Sequence, residues 1–289
     1  MKINLTPLGT CACNDTPIQN QSGYVLDLYK GDNHYQLLLD AGTDRVMNSK
    51  FVNPMRLHAI ILSHYHIDHT RQMPYFIKRL RRRHNKRRIS IMAHRITWFI
   101  ISWYIRVHNF GIIPNFVERK LFGLPLHYSH FQDFRLLLGN DFSIRIKAAK
   151  ADHSPDCLAY RLRISELSRG EILTDFVYSP DTRFDSYHLC DFAANTQYWL
   201  LDTTFSDNYV RENMDNRFFK HSSPKYSGMM CRKAKANCYV ATHYFWERFG
   251  PNYEEAVDEI RCSAETYYDG NIIVARELKP VNLFDSDKS

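Results

Sequence analysis

No two of the seven cysteines stand as a Cys-x-x-Cys pair, and Cys11 and Cys13 are the nearest two. A zinc finger needs such pairs at finger spacing, and a disulfide framework needs an even set, so both are excluded. Scattered, odd-numbered thiols suit a reducing, cytosol-like compartment. The chain also lacks an apolar run of the about 20 residues that cross a bilayer. Its most hydrophobic stretch, Ile96–Val107, is shorter and reads as a core helix or a dimer-forming helix, ahead of shallow membrane contact. The opening Met1-Lys2-Ile3-Asn4-Leu5 has no apolar signal region. Together these absences predict a cytoplasmic protein without a membrane span.

What is present fits a globular α/β protein. The 289 residues, 44% of them hydrophobic, suffice for one large domain or two small ones with a sizeable core. The expectation is a single domain over 1–279 and a polar, loose tail over 280–289. A net charge of +7, from 38 basic against 31 acidic side chains, favours an anionic partner. The basic residues crowd at Lys78–Arg88, where eight of eleven are Lys or Arg. That density suits a phosphate backbone of RNA or DNA, and equally a solvated helix face.

The chemistry concentrates at Ser63-His64-Tyr65-His66-Ile67-Asp68-His69. The preceding Ala59-Ile60-Ile61-Leu62 reads as a buried strand, which puts the histidines on the turn at its C-terminal end. Side chains alternate along an extended chain, so His64 and His66 point the same way. Asp68 and His69 follow where the chain bends. One such loop can feed two metal ions about 3.5–4 Å apart, the separation of two-metal hydrolytic sites. The alternative, a histidine-rich surface turn, accounts less well for the strand in front and the further ligand types downstream.

Strands are expected at Ile3–Leu8, Gly23–Tyr29 and His34–Leu39, with a turn at 30–33. Asp40 then either holds the histidine loop from below or caps a turn. A helix is expected over Arg71–Lys86, a strand at Ile89–Met92, and an irregular connection over Phe110–Leu126. Strands follow at Phe131–Leu138 and Phe142–Ala149. Further on, histidines and carboxylates recur: His153 before an apolar strand with Tyr160-Arg161, Asp181 after the strand Ile172–Tyr178, Asp202 in Trp199-Leu200-Leu201-Asp202-Thr203-Thr204-Phe205, and His243 at the end of a buried strand that starts at Cys238. His221 stands in His221-Ser222-Ser223, before an expected helix. A helix over Asn252–Ser263 and a strand at Ile272–Ala275 complete the reading.

The string His-x-His-x-Asp-His at 64–69 resembles the metal signature of the metallo-β-lactamase superfamily. Asp152-His153 before Ala159-Tyr160-Arg161, Tyr178-Ser179-Pro180-Asp181-Thr182-Arg183, Leu201-Asp202-Thr203-Thr204-Phe205, His221-Ser222-Ser223 and Thr242-His243-Tyr244 are similar, in that order, to further motifs of its ribonuclease Z branch. The resemblance runs from Gly9-Thr10 to Arg248. It departs from the branch at Ala159 and Pro180, each in place of Gly, at Leu201 in place of His, and at Asp202 in place of Glu.

The resemblance implies an αββα sandwich, with two mixed β-sheets packed together and helices outside. It implies that His64, His66 and His153 bind one metal, that Asp68, His69 and His243 bind a second, and that Asp181 bridges them. Two Zn²⁺ suit these nitrogen and oxygen donors, with Mn²⁺ or Fe²⁺ tolerated. Asp68, Asp202 and His221 would be the catalytic residues, Asp202 orienting His221 and His221 protonating the leaving oxygen. The implied activity is a phosphodiesterase of the ribonuclease Z type, cutting RNA on the 3′ side as in transfer-RNA maturation, in a protein that is commonly dimeric.

Only 27 residues lie between His153 and Asp181, too few for the branch's long substrate-gripping arm. Lys78–Arg88 could replace it, or the substrate could be a small cyclic or dinucleotide phosphodiester. A lactonase or β-lactamase would use the same metals without needing Asp202, His221 or the basic run. A nucleic-acid-binding protein with a degenerate site is a further alternative, against which no ligand position that the resemblance implies is substituted.

Overall fold

The computed structural model describes residues 1–287 apart from 13–14, 17, 84–87, 110, 112, 115–116, 123–131, 155 and 217–218. The chain divides into two compact units, Met1–Leu124 with Arg276–Ser289, and Pro125–Ala275. Each contains one seven-stranded sheet.

In the first unit, β1 (Lys2–Gly9), β2 (Gly23–Lys30) and β3 (Asn33–Leu39) form an antiparallel meander. The chain then turns parallel: β4 (Leu57–Ile61), β5 (Ile89–His94) and β6 (Val117–Phe122) add in order beside β3. All six residues of β5 are buried. This is why β4 and β5 are almost continuously apolar rather than alternating, as strands covered on both faces must be. Helices α1 (Ile67–Thr70), α2 (Met73–Arg83) and α3 (Arg95–His108) supply the crossovers. Met73, Phe76, Ile77 and Leu80 of α2 recur at the 3–4 residue spacing of one helix face and enter the same core as Trp98, Ile101 and Ile105 of α3.

In the second unit, β7 (Gln132–Leu138), β8 (Phe142–Lys150), β9 (Leu158–Glu166) and β10 (Ile172–Ser179) are antiparallel neighbours. Helix α4 (His188–Phe192) leads into β11 (Tyr198–Asp202). Helices α5 (Asp207–Asn213) and α6 (Pro224–Ala234) precede β12 (Cys238–Thr242), and α7 (Tyr253–Glu265) precedes β13 (Asn271–Val274). Strands β10 to β13 run parallel. The 23-residue core around Trp199, Tyr239 and Ile260 packs α4, α6 and α7 against them. One mixed sheet with helices in each unit is what the expected fold class requires.

Two expectations are corrected. The connection over Phe110–Leu126 contains β6; its residues 110, 112, 115–116 and 123–126 lie outside the described set, as does Phe131. The polar tail is not loose: Val281–Asp285 forms β14, an edge strand antiparallel to β1, with Val281 and Leu283 buried. Two buried residues in alternate positions among Asn and Asp make too short a period to stand out in sequence. The helix expected over Arg71–Lys86 spans Met73–Arg83, and residues 84–87 of the basic run lie outside the described set. Among the described residues, no helix is long and apolar enough to cross a membrane.

The six described cysteines are free thiols, and Cys262 alone of them is exposed. Burial pushes the Cys238 thiol up to about 12 and that of Cys190 up to about 11, and holds Cys231 well above its ordinary value. Because only the thiolate is nucleophilic, iodoacetamide at about pH 8 should alkylate Cys262 in the native protein and spare Cys190, Cys231 and Cys238. Peptide mapping by mass spectrometry, before and after unfolding in guanidinium, checks this; native labelling of Cys231 would contradict the packing around it.

Candidate functional site

The site residues leave the sheets at the carboxyl ends of parallel strands. In the first unit Leu39 of β3 lies in register with Ile61 of β4, so Asp40 and the loop carrying His64 to His69 emerge side by side. Two backbone bonds knit them: the Ala41 N–H donates to the His69 carbonyl at 2.7 Å, and the Gln72 N–H to the Ala41 carbonyl at 2.9 Å. Gly42 is required by this approach, since a Cβ there would collide with the Asp68 carbonyl.

Asp40 resolves its two sequence readings in favour of an anchor. Its Oδ1 accepts from the Ser63 N–H at 2.7 Å; its Oδ2 accepts from the Ser63 hydroxyl at 2.7 Å and from His69 Nδ1 at 2.7 Å. With its hydroxyl proton committed to Asp40, Ser63 Oγ is an acceptor for His64 Nδ1, 3.0 Å away. The rings of His64 and His66 lie 4.4 Å apart, those of His64 and His69 4.3 Å apart, and Asp68 Oδ2 stands 3.6 Å from His69 Nε2. The four expected ligands of this loop are therefore gathered at one place.

In the second unit Ser179 of β10 is in register with Leu201 of β11, and Asp202 with Thr242 of β12. Asp181, Asp202 and His243 follow at neighbouring strand ends. Asp181 sits between two imidazoles: its Oδ2 is 3.4 Å from His153 Nε2 and its Oδ1 is 3.3 Å from His243 Nε2. One oxygen toward each ring is the arrangement of a carboxylate able to serve two cations. His153 Nδ1 donates to the Lys220 carbonyl at 3.1 Å, and His243 Nδ1 lies 3.1 Å from Thr204 Oγ.

Asp202, fully buried, accepts four hydrogen bonds: from the Thr182 and Thr204 N–H groups at 3.0 and 2.9 Å, the Thr204 hydroxyl at 2.6 Å, and His221 Nδ1 at 2.8 Å. Aspartate is a methylene shorter than glutamate yet reaches the imidazole. Through Thr182 it also fastens the turn that presents Asp181. Asp181, His221 and His243 place ligand atoms within 4.8 Å of one another.

The donor set fits a divalent metal. His64, His69, His153 and His243 each have a partner on Nδ1, which fixes Nδ1–H and leaves Nε2 as the lone-pair nitrogen. Holding the far nitrogen by a hydroxyl, carbonyl or carboxylate is how proteins orient metal-ligating imidazoles. In each unit a His/Asp cluster so arranged offers the donors that a divalent cation takes.

Ser63 and Thr204 were not singled out in sequence. Both stand inside motif strings, but a hydroxyl carries no pattern of its own; only the fold shows that each accepts from an imidazole while donating to an aspartate. His221 Nδ1 and the Asp202 carboxylate meet through one hydrogen bond, and Asp40 bonds the Ser63 N–H of the histidine loop.

Against known protein families, the Beta-lactamase superfamily domain matches residues 35–244. The chain belongs to this superfamily. No curated protein matches it. Among solved structures it is similar to the metallo-beta-lactamase fold protein YhfI from Bacillus subtilis, with 21% identity, TM-score 0.70, and coverage of 98% of this chain and 100% of that one. It is also similar to human tRNase Z, short form, at 15% identity and TM-score 0.68, covering 97% and 99%. Unliganded yeast PDE1 gives 12% identity and TM-score 0.66, covering 98% and 99%. At these identities the likeness establishes the metallo-β-lactamase fold.

Asp40→Ala removes three hydrogen bonds from the loop and strips His69 of its Nδ1 acceptor. Metal affinity should fall about 10–100-fold while the protein stays folded. Competitive titration with a chromogenic chelator, alongside circular dichroism, reads both quantities.

Proposed function

We propose that the protein is a metal-dependent phosphodiesterase of the ribonuclease Z type, acting on RNA. The observation that carries this reading is His221, held by a buried carboxylate and set beside Asp181 and His243. Hydrolysis of a phosphodiester needs an acid for the departing alkoxide, and an imidazole fixed at Nδ1 can deliver a proton from Nε2.

Both half-sites serve one dinuclear centre in this proposal. His64, His66 and His153 would hold one cation, Asp68, His69 and His243 the other, and Asp181 would serve both. Motif order and donor chemistry support the assignment. Nitrogen and carboxylate donors without thiolate favour Zn²⁺ and admit Mn²⁺ or Fe²⁺. When bound, the cations supply charge neutralisation at the phosphate and bring the pKa of a water toward neutrality. Asp68 would orient the attacking water, Asp202 fixes the tautomer of His221, and His221 would return a proton to the oxygen that leaves phosphorus. The protein works as a single functional domain, commonly a homodimer, in a reducing cytoplasm; the buried free thiols suit that compartment.

One observation favours a second reading. Between His153 and Asp181 the described chain is filled by β9, β10 and a tight turn over 167–171, with Gly170 at φ 69°. Without a long arm, a small cyclic or dinucleotide phosphodiester is the alternative substrate.

Cleavage of a 3′-extended transfer-RNA precursor, compared with bis(p-nitrophenyl) phosphate under the same Zn²⁺ or Mn²⁺, separates the two. Site-specific cutting of the RNA together with ester hydrolysis is expected; hydrolysis of the ester alone moves the assignment to the small substrate. His66→Ala should abolish both. His221→Ala should lower kcat about 10²–10⁴-fold and leave metal content near normal; loss of metal in that variant would refute its role as the acid.

A further inference from the structure

A groove of about 780 Å³ opens beside the histidine loop, lined by Tyr65, His66, Tyr75, Ile101, Tyr104 and His108 among others. Its volume is that of a small-molecule site. Ile100, Tyr104 and His108 lie four residues apart along α3 and so form one stripe facing it. Tyr75, near the start of α2, closes the opposite side and meets His108 edge-on at 4.8 Å between ring centres. Tyr75 and Tyr104 are 48% and 46% exposed, so their rings offer area to something outside the protein. The groove is mainly apolar, with three tyrosines, His108 and Arg71 among the lining residues that carry polar groups.

Tyr75 also lines a second, wider groove of about 850 Å³, whose cationic members are Lys78, Arg79 and Arg82. On α2 these four residues stand at i, i+3, i+4 and i+7, one continuous face. Arg79 is partly committed, donating to the Val46 carbonyl at 3.1 Å and to Ser49 Oγ at 2.5 Å. Lys78 and Arg82 add charge beside it. Among the described residues, Asp44 is the one carboxylate that lines this groove.

We infer that the two grooves are one track for single-stranded nucleic acid, with an unstacked base held by Tyr75 and Tyr104 next to the metal loop and flanking phosphates on Lys78, Arg79 and Arg82. This deepens the proposed function and rests on it for the identity of the scissile bond. The occupant follows from complementary chemistry. A planar aromatic ring with polar edges fits tyrosine walls that carry hydroxyls, and the anionic backbone attached to it fits the lysine and arginines one helical turn away. An aliphatic or lactone substrate would use the first groove and leave the basic one without purpose. A base gripped beside the cleavage site also supplies a hold on RNA that the short β9–β10 connection cannot.

Oligoribonucleotides carrying one 2-aminopurine at successive positions test the track, with EDTA present so that binding is read without cleavage. Stacking on a tyrosine quenches 2-aminopurine emission. Quenching is expected at one or two adjacent positions, lost in Tyr75→Ala and Tyr104→Ala and kept in Tyr75→Phe and Tyr104→Phe. Affinity by fluorescence anisotropy should fall about 5- to 150-fold in each alanine variant. Lys78→Ala/Arg82→Ala should weaken binding at every sequence and flatten its salt dependence while leaving the quench position unchanged.

Absence of quenching at every position, or quenching that survives both alanine variants, overturns the inference. So does a change from dimer to monomer by light scattering in those variants with RNA affinity intact, because the groove would then be a contact between copies of this chain. Hydrolysis of bis(p-nitrophenyl) phosphate by the wild type separates a failed track from a failed phosphodiesterase: activity without quenching condemns the track alone.

Discussion

Four imidazoles, two in each unit, are each held at Nδ1 by a different kind of acceptor: a serine oxygen, an aspartate, a backbone carbonyl and a threonine oxygen. Neutral imidazole has one N–H and one lone pair, so an acceptor on one nitrogen decides what the other can do. The site's chemistry depends on this constraint. Without it each ring could rotate or present its N–H to a cation, and the donor set would dissolve into a group of polar side chains. The two hydroxyls are shared resources: Ser63 lies between His64, His69 and Asp40, and Thr204 between His221, His243 and Asp202. In both, a buried aspartate takes the hydroxyl proton and thereby fixes which way the hydroxyl faces.

The fold delivers those groups because parallel strands end together. β3 and β4 in one unit, and β10, β11 and β12 in the other, end close to one another in register; Asp202 is the last residue of β11, and Asp40, the histidine loop, Asp181 and His243 follow within three residues of their strands. Parallel pairing demands a crossover after each strand, which is why the ligand motifs are spread over the chain and separated by helices. The apolar strands ahead of each motif and the chemistry that follows are thus two consequences of one topology.

That coupling explains what could be read from residues alone. A buried strand followed by His, Asp or His-x-His is a local pattern, and β4, β10 and β12 end just before the histidine loop, Asp181 and His243. The long-range partners were not legible: no spacing announces that Thr182, twenty residues before Asp202, donates to it, or that the Lys220 carbonyl will accept from His153. The helix α4, five residues long, and the edge strand β14 were also missed, being too short for periodicity to rise above their polar neighbours. Tyr75 and Tyr104 carry no signal of their own in sequence, because exposure is a property of packing.

Two of the site's residues pay in backbone conformation for their positions. Asp40 and His243 both have φ 55°, in the left-handed region that costs an L-residue about 1 kcal/mol or more. Glycine would relieve that strain at either place, so its absence needs a reason. At Asp40 the side chain returns three hydrogen bonds, one to an imidazole; at His243 it offers Nε2 toward Asp181. Aspartate and histidine are also among the non-glycine residues that most readily enter this region. The sharp exit from each strand is what aims the side chain back across the sheet's end instead of onward into the loop. Strain, strand termination and ligand placement are therefore the same event at both residues, and a substitution that eased the first would forfeit the third.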